Sequence, residues 1–224
     1  MTEKILPGIE LLPDTLPAKQ LFILLHGLGS KPSDLVPLAN YLKEVFPGAA
    51  FFLPEGTHPF DGGGTGRQWF SINGVSDDNR RSRVAQAMPG LRALVRQAQD
   101  RFNVLQSDTA LMGFSQGAIM ALEFSIAHDG GVGRVLAFSG RFAQLPEKTP
   151  ELTTLHFLHG ESDPVIPVAH AQAAIERLKE LDGDATLDIA AAAGHEIDAE
   201  LADHAIRRLQ THIPLRSWKK AMEG

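Results

Sequence analysis

Cysteine is absent from this chain. That removes disulfide staples, Cys-ligated zinc, iron–sulfur clusters and thiol nucleophiles together. Long apolar runs are missing too. The longest near the N-terminus, Leu21-Phe22-Ile23-Leu24-Leu25, falls far short of the ~18 residues a membrane span needs. The first twenty residues hold four prolines or glycines and three acids, with no basic stretch feeding an apolar one, so no secretory signal is expected. Positive charge is in the minority, 21 Lys and Arg against 27 Asp and Glu for a net charge of −6. Broad binding to nucleic acid or anionic membrane needs a concentrated positive field, so neither partner is expected. The expectation is a cytoplasmic protein with no stable membrane insertion.

What is present is a globular composition. Of the 224 residues 43% are hydrophobic, enough to bury a sizeable core, and a single domain over 1–224 is expected. Short apolar runs, glycine-rich loops and segments of helical spacing recur in that order. Strands are predicted at 21–25, 50–53, 109–112, 134–138, 154–158 and 186–190. Helices are predicted from an N-cap at Ser33 to Phe46, over 84–102 and 116–127, through Val168, Ala171, Ile175 and Leu178, and through Leu201, Ala205, Ile206 and Leu209. Near-continuous apolar strands alternating with helices imply an α/β fold, a mostly parallel sheet covered on both faces. Ligands in such sheets sit beyond the carboxyl ends of the strands.

One connection is irregular. From Pro54 to Arg80 the chain carries a glycine cluster at 62–66 and then Arg67-Gln68-Trp69-Phe70. Loops of that length inside compact domains are usually either functional or disordered, and a disordered one rarely exposes two large aromatics. Two large aromatics on it predict a lid or wall over a site, with Trp69 and Phe70 touching substrate.

The strongest local signal is Gly113-Phe114-Ser115-Gln116-Gly117, between a predicted strand and a predicted helix. A serine on so tight a turn is lifted clear of the sheet, and glycines two residues either side allow close backbone approach. The helix that follows aims its positive end at the serine. In folds built on this elbow an acid and then a histidine follow in chain order. Asp163, in His159-Gly160-Glu161-Ser162-Asp163-Pro164, and His195, in Ala193-Gly194-His195, both fall after predicted strands. Taken alone Asp163-Pro164 also reads as an ordinary turn, and Asp188 is an alternative acid.

Together the three define acyl-transfer chemistry. His195 takes the hydroxyl proton as Ser115 attacks a carbonyl, and Asp163 fixes the imidazole. The backbone N–H of Gln116 and that of Leu28, in the glycine-flanked loop after the first long strand, are the candidate oxyanion donors.

Other chemistries fit poorly. Gly27-Leu28-Gly29-Ser30-Lys31-Pro32 lacks the third glycine of a dinucleotide loop, and no P-loop spacing is present. His195-Glu196-Ile197-Asp198-Ala199 ends in alanine where a zinc helix needs histidine, and His156 and His159, three apart on a strand, point to opposite faces. No metal is expected. The arginines at 80, 81, 83, 92 and 96 read as a solvated helix face.

These motifs resemble the phospholipase/carboxylesterase family of α/β-hydrolases, which includes acyl-protein thioesterases, and within it the YpfH-type bacterial esterases. The likeness runs from His26-Gly27-Leu28-Gly29 through Arg67-Gln68-Trp69-Phe70 and the elbow to His159 through Val165 and Gly194-His195. It implies Ser115, Asp163 and His195 as the triad, Leu28 and Gln116 as oxyanion donors, and no cofactor. The thioesterase-type pattern has aspartates where this chain has Ser30 and Ser71, and a glycine where it has Ala118. A carboxylesterase for small to medium acyl chains is therefore expected, ahead of thioesterase or lysophospholipase activity and of a non-catalytic ligand-binding homologue. The sequence carries no signal of oligomeric state, and the tail from Leu215 to Gly224 reads as a docking segment for the body or a partner.

Overall fold

The structure, a computed structural model, describes residues 7–222. The expected domain and the tail also include 1–6 and 223–224, which lie outside the described residues. In chain order the elements are β1 (Gly8–Leu11), β2 (Gln20–Leu25), α1 (Val36–Val45), β3 (Ala49–Pro54), β4 (His58–Pro59), β5 (Arg67–Gln68) and α2 (Asp77–Phe102). Then come β6 (Thr109–Phe114), α3 (Gln116–Ala127), β7 (Arg134–Phe138), β8 (Thr154–Gly160), α4 (Ala169–Glu180), β9 (Ala185–Ala190), α5 (Ala199–Thr211) and α6 (Leu215–Met222).

Seven strands form one sheet in the order β1-β3-β2-β6-β7-β8-β9. Only β1 runs antiparallel, against β3. The α/β-hydrolase architecture expected from the sequence is what forms. Alternation along β2 shows why its run is apolar throughout. Leu21, Ile23 and Leu25 pack with α2, α3 and α4 on one face, while Phe22 and Leu24 pack with α1 and α5 on the other. A strand buried on both faces has no polar side to show. The chain moves outward from β2 to β3 and then crosses to β6, so β2 and β6 flank the point where strand order reverses. The loops leaving these two strands meet there, and ligand sites of such sheets form at this reversal.

Local departures have identifiable causes. Ser33 does not cap α1: a 3-10 turn occupies Pro32–Leu35, and α1 begins at Val36 with Pro37 in its first turn. Proline at that position lacks an N–H that would be unpaired anyway. Helix α2 starts seven residues before the expected Val84, capped by Ser76 and Asn79. The loop read as reaching Arg80 thus ends at Ser76, and within it β4 pairs with β5. The tail from Leu215 forms α6. Its first N–H donates to Asp184 and Arg216 donates to Thr154 Oγ1, while Trp218 stays exposed.

Candidate active site

The elbow is a steric construction. Ser115 has φ 53° and ψ −113°, a strained conformation for a residue other than glycine. Its N–H donates to the Phe138 carbonyl at 3.0 Å. A Cβ on Gly113 would stand 2.3 Å from the Gly117 backbone, and one on Gly117 2.1 Å from the Leu25 carbonyl oxygen. Both glycines are required because α3 begins directly against β2 and β6.

Ser115, His195 and Asp163 come together from the ends of β6, β9 and β8. His195 Nε2 lies 2.9 Å from Ser115 Oγ, and His195 Nδ1 lies 2.8 Å from Asp163 Oδ2. A carboxylate only accepts, so Nδ1 carries the proton and Nε2 accepts the serine hydroxyl. Asp163 Oδ1 accepts the N–H groups of Val165 at 2.8 Å and Ile166 at 2.9 Å. Burial works against the charge on Asp163, but the bonds from His195, Ile166 and Val165 hold its carboxyl below the ordinary value. Asp188, the alternative acid, is elsewhere. It pairs with Arg208 at 2.7 and 3.0 Å and with His204 at 3.1 Å.

The loop after β2 sits beside the nucleophile, where a Cβ on Gly27 would lie 3.5 Å from Ser115 Cβ. The Leu28 N–H makes no hydrogen bond within the chain among the described residues. Gln116 opens α3, so its N–H has no intrahelical acceptor. Both donors of the expected pair are free to receive an anionic oxygen.

Trp69 and Phe70 pack their side chains inward. They are 1% and 5% exposed. The Trp69 indole N–H donates to the His26 carbonyl at 2.9 Å. The Gln116 carboxamide accepts the Trp69 N–H and donates to the Phe70 carbonyl, both at 2.8 Å. The aromatic pair is thus clamped from below and braces the loop that carries Leu28.

Two histidines that sequence reasoning did not assign support the same frame. His26 is fully buried. Its Nε2 accepts the Gly56 N–H at 2.9 Å, so its Nδ1 donates to the Gly27 carbonyl at 2.7 Å, and burial lowers its pKa. His159 donates from Nε2 to the Ile166 carbonyl at 2.7 Å, with Asp163 Oδ2 3.4 Å away. Their places inside His26-Gly27 and His159-Gly160 were the available signal. Among the described residues no cluster of three or more His, Asp or Glu is placed to hold a metal ion. No helix there is long and apolar enough to cross a membrane.

The profile of the phospholipase/carboxylesterase family matches residues 8–213. The chain belongs to that family. It is thereby placed among hydrolytic enzymes of the α/β-hydrolase fold. Within reach of the family profile, Esterase YpfH of Escherichia coli (strain K12) is 44% identical over 208 residues, 93% of this chain and 89% of that protein. Acyl-protein thioesterase 1 of Saccharomyces cerevisiae is 29% identical over 184 residues, 72% of this chain and 78% of its own. Among solved structures, the crystal structure of esterase PE8 superposes with a TM-score of 0.84 at 31% identity, covering 92% of this chain and 98% of PE8.

The chain's departures from the family's thioesterase-type pattern have local partners. Ser30 Oγ donates to Asp34 and Ser71 Oγ to Asp61, each at 2.6 Å, so each replaced aspartate is matched by a carboxylate nearby. Ala118 fits because residue 140 is glycine: a Cβ there would lie 2.3 Å from the Ala118 methyl.

Proposed function

We propose that this chain is a single-domain cytoplasmic serine carboxylesterase, acting on small to medium acyl esters through an acyl-enzyme on Ser115. The observation that carries the reading is the continuous hydrogen-bonded relay from Ser115 Oγ through His195 to Asp163. In it, His195 Nε2 removes the hydroxyl proton as Ser115 Oγ attacks the ester carbonyl. Asp163 keeps the proton on Nδ1 and stabilises the imidazolium that results. The N–H groups of Leu28 and Gln116 receive the oxyanion, each donor contributing about 3 kcal/mol to lowering the barrier. His195 then passes its proton to the departing alkoxide, and water, activated by the same imidazole, releases the acid. No metal or cofactor enters these steps.

Trp69, Gln116 and His26 are assigned positioning roles beneath the Leu28 loop, and Phe70 forms part of that support. The esterase names borne by the relatives from Escherichia coli and by PE8 support ester substrates. A second reading, thioester or lysophospholipid cleavage, is favoured by the likeness to the yeast thioesterase. Hydrolysis of matched ester and thioester series of increasing acyl length, with Ser115→Ala as control, tests the proposal. Turnover greatest on short esters and abolished in the variant is expected. Turnover surviving Ser115→Ala refutes the mechanism, and preference for long thioesters selects the second reading.

A further inference from the structure

A concavity lies away from the elbow, between α2 and the carboxyl-terminal half of α3. It is an open groove with a volume of about 790 Å³, within the ~300–1,000 Å³ typical of small-ligand sites. Its floor is apolar, made by Val84, Met88, Pro89, Ala93 and Ile126. Its rim is cationic in a chain whose net charge is −6. Arg81, Arg92 and Arg96 line it from α2 and span about 22 Å of helix axis.

The two ends differ. At one, Arg81 donates to Gln144 at 3.1 Å and faces Glu123, whose carboxylate accepts the Ala143 N–H at 2.7 Å. At the other, Arg92 and Arg96 stand exposed, and neither makes a hydrogen bond or ion pair among the described residues. His128 also faces this end, beside Arg92. Unpaired guanidinium groups beside the exposed Pro89 ring and the exposed methyls of Ala93 and Ala127 match a ligand with an anionic head and an apolar body. Head-to-tail orientation follows from Glu123, whose carboxylate repels an anion at the Arg81 end.

We propose that this groove binds a free alkyl carboxylate, its head at Arg92 and Arg96 and its chain along Pro89, Ala93 and Ile126. The site is concave and of small-molecule size, which fits a single amphiphile better than a flat bilayer surface. It does not depend on the reading of Ser115, because binding is measured without turnover.

The test is calorimetric titration of the full chain with sodium decanoate below its micellar concentration, alongside decanol. Decanoate binds saturably and at least about tenfold more tightly than decanol. Arg92→Gln with Arg96→Gln weakens decanoate at least about tenfold and leaves decanol unchanged. Ala93→Trp, which fills the floor, weakens both. Thermal melting shows which variants fold, and the doubly substituted surface variant decides the matter if Ala93→Trp does not. Absence of saturable decanoate binding overturns the proposal, as does decanoate affinity untouched by the arginine substitutions or matched by decanol.

Discussion

Asp163 meets His195 through one oxygen, at 2.8 Å from Nδ1, while its other oxygen is held by two backbone N–H groups. The carboxylate therefore cannot rotate away from the imidazole without abandoning the Val165 and Ile166 amides. Asp163→Asn keeps the shape but lets an amide N–H face Nδ1, favouring the tautomer that has no lone pair for Ser115. A fall in kcat on the order of 10⁴ is expected, with the melting temperature little changed. Asp188→Asn gives the opposite pattern in the same two assays. It weakens the pairs to Arg208 and His204 and lowers stability, and leaves kcat within about twofold.

The elbow glycines are held by backbone collisions, so their replacement acts on folding. In Gly117→Ala the new methyl meets the Leu25 carbonyl oxygen at 2.1 Å, a contact that only a shift of α3 or β2 can relieve. A loss of about 3 kcal/mol is expected, lowering the melting temperature by roughly 10 °C. Calorimetry of the purified variant checks it.

Trp69 sits against the loop after β2, its indole N–H donating to the His26 carbonyl. Trp69→Phe retains a ring but leaves the His26 carbonyl without its indole donor, at a cost of about 1–3 kcal/mol. The loop carrying Leu28 loosens, so kcat drops by a similar factor for every acyl length. A drop confined to long chains would instead mean that the ring itself touches the acyl group.

Acid sensitivity has a buried source. Burial, followed by the charges of His212 and Arg134, lowers the pKa of His156 from 6.5 to about 3. Between those values the unfolded chain binds a proton that the folded chain excludes, so stability is full above pH 6.5 and lost as pH falls toward 3. At pH 5 this one group accounts for on the order of 2 kcal/mol. Melting temperatures of His156→Gln should fall less steeply between pH 7 and pH 5 than those of the parent chain. His26, His128 and His159, also lowered chiefly by burial, leave a residual slope. An unchanged slope removes His156 from the explanation.

Legibility in the sequence followed burial. Strand β2 could be read because both its faces are covered, and the elbow because its glycines answer a steric demand. The first turns of α2 could not. Residues 77–81 are all polar, so the helix there rests on the Ser76 and Asn79 cap and carries no apolar period. Edge strand β1 has only four residues and pairs on one side, with β3. The order of Ser115, Asp163 and His195 was visible because each follows a strand. The orientation of Trp69 was not, since sequence places an aromatic on a loop without saying which side it faces. Its burial depends on Gln116, 47 residues further on, clamping the loop from α3.

The most direct test of the account is to catch the acyl group on its serine. Acid quenching during turnover of a p-nitrophenyl ester, followed by mass spectrometry of the peptides, should show one acyl increment on the peptide bearing Ser115 and none in Ser115→Ala. Ester turnover with no adduct on Ser115, continuing at the parent rate in that variant, would contradict it.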